Sequence, residues 1–446
     1  MELRKVVTAF LEHEGRILIL KRSDKVGSYK GKWAGVSGYV ERDEDPMSRV
    51  LLEIGEELGL TSQKVHLAEK GKLMLIPDEE LGVLWIVYPY LFKAEKPTIK
   101  IDWEHDEFQW IKPSEIDLYE TVPMLKQTLK RVIDVNPQPI PSSQVTGKLN
   151  EIAADRRLGA RQLVIEAIRT LKLAAETCEA NSVEECLTYL EETANKLVNI
   201  KPSMASFSNA IDTLYHRAAK FKTSNLASLK AFVTHEAEQI IRGLEESSIK
   251  AVEEASKQIN DGYTVLTYSR SSTVLEVLRQ TTLKGKKISA IVSESRPLYE
   301  GRQLAEELST MGIPVTFITD SALGHFMSGV DMVLVGADSI LGDGSIVNKM
   351  GTYLVALAAK DKGIPFYSVC ELSKFNVRNY LGEEPVLEEK EPSEVLDTPL
   401  AGVTVRNVYF DVTPAKLVSA IITEEGIITP ENVPQYMEKI LQQYSR

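Results

Sequence analysis

The sequence predicts an α/β protein in two parts, the second with a helical stretch ahead of a doubly wound parallel sheet. Three observations predict this. Apolar alternation over residues 6–22 gives way to a strongly patterned helix at 46–58 and then to more strand-like runs. A proline-rich segment, NPQPIP at 136–141, marks a change of pattern. Beyond residue 261, short apolar runs alternate with helical segments, as buried parallel strands and their crossover helices do.

Taken in order, residues 6–22 read VVTAFLEHEGRILILKR, two apolar runs around Glu12-His13-Glu14-Gly15, which is a β-hairpin pattern. In GYVERDEDPMSRVLLEIGEELGL (38–60), Asp45 is an N-cap and Pro46 a first helical residue. Met47, Val50, Leu51, Ile54 and Leu58 form one apolar stripe, and Gly59 ends the helix. Strand-like runs follow at 72–76, 84–92 and 108–111. The prolines of 136–141, with Ser142, Ser143 and Gly147, predict a linker over 134–147. Helix-period sequence then extends to Gln258, broken near Asn181 and by Pro202. TVLTYS, ISAIVSE, VTFITDS, MVLVGADS and FYSVCE read as the strands of the parallel sheet. The expected parts are therefore 1–133, the linker, and 148–446, the last divided into a helical part (148–258) and a sheet part (259–446).

Composition narrows the function. Of 446 residues, 43% are apolar and 26% charged, enough core material for a soluble globular protein. The net charge of −12 argues against a nucleic-acid-binding surface over the whole protein. No apolar run has the length of a membrane span, and Met1-Glu2-Leu3-Arg4-Lys5 leads straight into strand-like sequence. Neither a membrane segment nor a signal peptide is expected. Cys178, Cys186 and Cys370 form no CxxC, which suits free thiols in a reducing cytoplasm. The six histidines include no pair at ligand spacing, so zinc is not expected.

Glu53, Glu56 and Glu57 lie at i, i+3 and i+4 on the first helix, off its apolar stripe. A solvated acidic face is the plain explanation of such a cluster. Against it, like charges at these spacings cost roughly 0.2–0.5 kcal/mol per pair, and anions in a last turn oppose the helix dipole. A divalent cation removes both costs, and magnesium suits a few carboxylates shared with water and substrate phosphates. The segment resembles the Nudix box, G-x5-E-x7-R-E-U-x-E-E-x-G-U, with Gly38, Glu44, Glu53, Ile54, Glu56, Glu57, Gly59 and Leu60 in register. RSDKVGSYKGKWAGVSG before it and WEHDEFQWIKPSEI (103–116) after it are also similar to Nudix sequence. The resemblance implies an α/β/α sandwich that hydrolyses a nucleoside-diphosphate-linked substrate with Mg2+ or Mn2+, with Glu53, Glu56 and Glu57 as metal ligands and catalytic groups. Two positions depart from the pattern: Leu52 stands where the box has arginine, and Ser37 where a second glycine is frequent. Arg49, one turn before Glu53, is the candidate substitute cation.

In the second part, Ser269, Arg270 and Ser271 follow a strand and open a helix, a place where anions bind, although serine capping alone also explains them. Arg296, in ESRP, and Gly336 and Asp338, followed by Asn348 and Lys349, end other expected strands. Strand ends of a doubly wound sheet converge on one crevice, so a ligand site is expected there. These segments, with ADRRLGARQL, KPSMASFSNAI and FDVTPAKLVSAIITEEGIITP, resemble the superfamily of initiation factor 2B alpha, beta and delta subunits and the related isomerases of ribose 1,5-bisphosphate and methylthioribose 1-phosphate. The resemblance implies a helical part plus a Rossmann-like part, homodimeric or larger assembly, and a phosphorylated sugar or nucleotide as ligand. The isomerases work with a cysteine and an aspartate. Asp338 matches the aspartate, Ser269 stands at the cysteine position, and Leu158 replaces a substrate-binding arginine. A serine lacks the accessible ionisation of a thiol, so a binding or regulatory module is expected ahead of an isomerase. A non-catalytic protein like a translation-initiation-factor subunit is the alternative for the whole chain. His325 and the three cysteines are expected to be structural, and the acidic run around 383–391 a solvated loop.

Overall fold

The computed structural model describes residues 2–41, 44–78, 81–94, 98–133, 142–155 and 158–444. The chain divides into two compact units, one of Met1–Gln138 and one that begins at Pro139.

In the first unit, β1 (Glu2–His13) turns through Glu14 and Gly15, both left-handed, into β2 (Arg16–Arg22). β3 (Trp33–Ala34) pairs with β2, and β4 (Val36–Tyr39) with β1. Next come α1 (Pro46–Leu58), β5 (Val65–Lys70), β6 (Met74–Asp78), β7 (Val83–Ala94), β8 (His105–Ile111) and α2 (Leu125–Lys130). Among the described residues these strands make one eight-stranded sheet with the central order β3-β2-β1-β7-β5. The run expected at 72–76 is shifted to Met74–Asp78 by its pairing with β7, and that at 108–111 begins earlier because His105 pairs with Arg22. β1 and β7 are parallel from Glu2 opposite Val83 to Glu12 opposite Lys93. Residues 7–11 are all buried, so both faces of the sheet are covered. Phe10, Ile17, Ile19 and Leu91 pack with Leu125 and Leu129 of α2, while α1 rests on β1 and β4.

In the second unit, Ser142 caps α3 (Ser143–Ala154) by accepting from the Val145 amide at 3.3 Å. Residues 143–147, expected in the linker, are therefore helical, and the rest of that expectation, 134–141, lies outside the described residues. α4 (Ala160–Thr177), α5 (Val183–Ile200), α6 (Ala205–Lys220) and α7 (Leu226–Gln258) follow. The breaks near Asn181 and Pro202 are present, with two more, one between α3 and α4 and one before Asn225, whose side chain caps α7. α7 has 33 residues and spans about 50 Å at 1.5 Å per residue. Its first half packs Leu229, Val233 and Ala237 into the helical core, and its last half packs Ala251, Val252 and Ala255 into the core of the sheet.

The rest of this unit alternates β9 (Thr264–Thr267), α8 (Ser272–Leu283), β10 (Ser289–Ser293), α9 (Glu300–Thr310), β11 (Val315–Ile318), α10 (Leu323–Phe326) and β12 (Met332–Val335). β13 (Ser339–Ile340), β14 (Ile346–Lys349), α11 (Thr352–Lys362), β15 (Phe366–Val369) and α12 (Val377–Tyr380) continue it. β16 (Phe410–Thr413), β17 (Ala420–Thr423), β18 (Gly426–Ile428) and α13 (Val433–Tyr444) complete it. The main sheet has the order β11-β10-β9-β12-β15-β17-β18, parallel except for β18, and β13-β14-β16 form a small antiparallel sheet. The chain steps outward from β9 to β11 and then returns to the other side of β9 with β12. The strand order therefore reverses between β9 and β12, and a crevice opens at their carboxyl ends. Among the described residues no helix is long and apolar enough to cross a membrane.

Candidate functional site

In the first unit, α1 begins at Asp45, whose Oδ2 accepts from the Ser48 amide at 2.9 Å, and ends at Gly59 with φ 66°. The helix turns 100° per residue, so Glu53 and Glu57 are about 40° apart on its wheel while Glu56 fans away from both. Glu57 is only 3% exposed and Glu53 half-buried, whereas Glu56 faces solvent. The three glutamates expected as one ligand set are thus not brought together, and among the described residues no three His, Cys, Asp or Glu side chains stand in metal-ligand geometry.

Glu57 Oε1 accepts from the Ser37 amide at 3.1 Å, but its buried Oε2 has no hydrogen-bond partner. Burial pushes the Glu57 carboxyl well above the usual carboxylate range. The Ser37 amide pulls it back, and Glu53, Asp102 and Glu104 push it further. Glu53 is also raised, by burial first, with Arg49 opposing. Gly38 makes room for it, because a Cβ there would lie 1.8 Å from Glu53 Oε1. The guanidinium of Arg49 bonds Glu44 at 2.9 Å and Glu53 at 3.4 Å. Leu52, one residue before Glu53, is turned outward and 47% exposed. An orphaned, buried carboxylate oxygen among mutually repelling acids fits a hard divalent cation.

Glu53, Glu104, Ser37 and Gly38 line a cavity of about 230 Å³ that also meets Tyr39 and Trp85. The Trp85 and Tyr39 rings lie 6.0 Å apart, and Trp85 Nε1 donates to the Tyr29 hydroxyl at 3.2 Å. Asp102, Glu104 and His105 escaped the sequence reading, although Glu104 and His105 belong to the WEHDEFQWIKPSEI segment and Asp102 immediately precedes it. Their signal was a histidine and acids at the start of an otherwise strand-like run.

The second unit places a cavity of about 180 Å³ at the β9/β12 crevice. Ser269, Ser271, Gly336, Asp338, Asn348 and Lys349 all line it. Ser269 adopts φ 60°, rare for a residue with a side chain, and its amide donates to Ser295 Oγ at 2.8 Å. Ser271 caps α8 through the Val274 amide at 3.3 Å, and a Cβ on Gly336 would come within 2.7 Å of the Ser271 hydroxyl. Burial raises the Asp338 carboxyl, while Lys374 and Lys349 pull it down. Lys349 Nζ donates to Glu300 Oε1 at 2.6 Å and lies 3.6 Å from the centre of the Tyr409 ring.

Two expected ligand-binding arginines have other partners. Arg270 reaches the cavity wall, but its guanidinium forms a two-pronged ion pair with Glu307 of α9, at 3.0 and 2.8 Å. Arg296 donates to the Val395 carbonyl at 3.0 Å and to the Tyr299 hydroxyl. Cations that the sequence reading missed come from distant segments, among them Lys201 and Lys374, the latter donating to the Ala337 carbonyl at 2.6 Å. Lys201, Lys349 and Lys374 are each 7% exposed. Six Lys and Arg residues line the cavity against four Asp and Glu, so it is net cationic in a chain of charge −12.

The family model described as "NUDIX domain" matches residues 2–132, and that of the "Initiation factor 2 subunit family" matches residues 156–430. A ribose 1,5-bisphosphate isomerase of Archaeoglobus fulgidus is 37% identical over 275 residues, 61% of this chain and 86% of that protein. Among solved structures, a translation initiation factor eIF-2B of Pyrococcus horikoshii matches 65% of this chain and 98% of its own, with 34% identity and a TM-score of 0.56. The 5-methylthioribose 1-phosphate isomerase of the same organism matches 67% and 88%, with 28% identity and a TM-score of 0.57.

Proposed function

The chain belongs to the initiation factor 2 subunit family and carries a NUDIX domain ahead of that region, and from this we propose that it hydrolyses a nucleoside-diphosphate-linked substrate and binds a phosphorylated sugar in its second unit. The observation that carries the first half is the orphaned Glu57 Oε2 among Glu53, Asp102 and Glu104, beside a cavity walled by Tyr39 and Trp85. Glu53 and Glu57 would hold magnesium or manganese, with Glu104 nearby. When bound, the ion would neutralise the diphosphate and acidify a water molecule. The Ser37 amide orients Glu57, Arg49 steadies Glu53, and the Tyr39–Trp85 pair offers an aromatic surface for a base. Release of nucleoside monophosphate from dinucleotides and nucleotide sugars in magnesium tests this. Wild type should cleave a member of the panel and Glu57→Gln should not, whereas equal activity in both would end the reading.

In the second unit the net-cationic crevice supports a phosphorylated ligand, with Lys349 and Lys374 at the phosphate and Asp338 and Glu300 available to sugar hydroxyls. Ser269 at the cysteine position favours binding over isomerisation, because a hydroxyl is a poor proton carrier near neutral pH. We further propose that this ligand is the sugar phosphate released by the first unit. Titrating the hydrolysis products into the full chain checks it, and absence of binding that Lys374→Met weakens would refute it. The apolar flank of α11 that exposes Tyr353, Leu354 and Leu357 supports self-association.

A further inference from the structure

Among the described residues that line the cavity of the first unit, Arg22 alone is a lysine or arginine. It ends β2 at an irregularity of the sheet. Lys21 lies opposite Glu107 but Arg22 lies opposite His105, so β8 carries one extra residue, Asp106, at that point. Such a bulge twists the strand and re-aims the side chain beside it. The backbone of Arg22 is pinned on both sides. Its amide donates to the Lys32 carbonyl at 2.9 Å, and its carbonyl accepts from the Gly31 amide at 2.9 Å. The next residue, Ser23, donates its amide to the Glu104 carbonyl at 2.7 Å and its hydroxyl to the Trp103 carbonyl at 3.1 Å. Arg22 and the cavity acid Glu104 are therefore held in register through neighbouring backbone.

The guanidinium is aimed but not satisfied. Its Nε donates to the Ser28 carbonyl at 3.1 Å, and among the described residues neither terminal nitrogen has a partner. Arg22 shares the cavity with Glu53 and Glu104 yet is ion-paired with neither, Glu53 being held by Arg49 instead. With one N–H used, the half-buried group presents the rest as a fork that matches two phosphate oxygens. We infer that Arg22 is the residue that binds the diphosphate of the substrate. This rests on the hydrolase reading of the first unit. A diphosphate esterified at both ends keeps a negative charge on each phosphorus, and Glu53 and Glu104 repel it. Arg22 supplies the one positive side chain in the cavity that opposes this repulsion, and Nε, tied to Ser28, sets the bearing of the fork.

The test pairs two measurements on the full chain. One is KM, in magnesium, for the dinucleotide or nucleotide sugar that wild type cleaves fastest. The other is Mn2+ affinity without substrate, from the electron paramagnetic resonance signal of free Mn2+. Arg22→Gln should raise KM roughly tenfold or more, and Arg22→Lys, which keeps the charge but not the fork, should fall between. Mn2+ affinity of the Gln variant should be no weaker than that of wild type, because a cation beside the acids has been removed. A KM like that of wild type, or a KM and an Mn2+ affinity that worsen together, would overturn the assignment of Arg22. A wild type that cleaves no member of the panel, or Glu57→Gln as active as wild type, would instead overturn the hydrolase reading itself.

Discussion

Replacing Gly38 by alanine is the most demanding test of the first site, because the structure separates its effect on stability from its effect on chemistry. An alanine Cβ would lie 1.8 Å from Oε1, 2.1 Å from Cδ and 2.5 Å from Cγ of Glu53. Ordinary contact begins at 3.4 Å, so the carboxylate must move by 3.4 − 1.8 = 1.6 Å. The strand cannot retreat, since Gly38 is paired with Val7 of β1, and its φ lies outside the left-handed region, so the backbone accepts a side chain. Glu53 therefore yields. It loses the Arg49 contact, worth up to ~1 kcal/mol, and takes an off-rotamer torsion costing ~0.5–1.5 kcal/mol. A total of about 1–2 kcal/mol leaves a domain of ordinary stability folded, with a melting shift of a few degrees. Catalysis suffers far more, because a misplacement of ~1 Å can cost ~100-fold in rate. The assay is kcat for nucleoside monophosphate release, paired with a thermal melt. A rate within threefold of wild type would refute the placing of Glu53 at the reacting centre.

Arg49→Ala frees Glu44 and Glu53 together and should lower kcat about 10–100-fold, with Arg49→Lys intermediate because one ammonium cannot bridge both acids as the guanidinium does. Lys374→Met removes a buried cation from the second cavity, and calorimetric titration with ribose 1,5-bisphosphate should show affinity weaker by roughly tenfold or more. Ser269→Cys puts a thiol into the cavity that Asp338 also lines, so conversion of that sugar phosphate to its ketose should rise above wild type in a coupled assay. Asp411, whose Oδ2 accepts from the Gly351 amide at 2.7 Å, has its carboxyl raised by burial to about 6. Its contribution to stability is therefore present below the unfolded carboxyl value of 3.8 and lost as pH rises toward 6. Asp411→Asn keeps an acceptor for Gly351 without the charge, so its melting temperature relative to wild type should climb between pH 4 and 6 and level off above. A constant difference across that range would count against the burial argument.

The sequence by itself determined what depends on neighbours a turn or a strand apart. Asp45, Pro46 and Gly59 bound α1 because capping and left-handed glycine act on the adjacent backbone amides. The first hairpin and the five parallel strands β9, β10, β11, β12 and β15 are legible from apolar runs of strand length. Register with the Nudix box located Glu53 and Glu57, and Ser269, Asp338 and Lys349 were legible because strand ends of a parallel sheet meet at its switch point. Tertiary structure alone decided which of these groups share an environment. Glu53, Glu56 and Glu57 look alike in sequence, yet burial against β4 and β8 separates an orphaned acid from a solvated one. Arg270 and Arg296 look like ligand cations, and Glu307, Tyr299 and the Val395 carbonyl claim them. Lys201 and Lys374 reach the second cavity across long stretches of chain, and Leu52 is turned outward while Arg49 pairs with Glu53. Capping and periodicity are local forces. Burial, ion pairing and the shift of a carboxyl are sums over whatever the fold places within a few ångströms, and that sum is not written in any short stretch of residues.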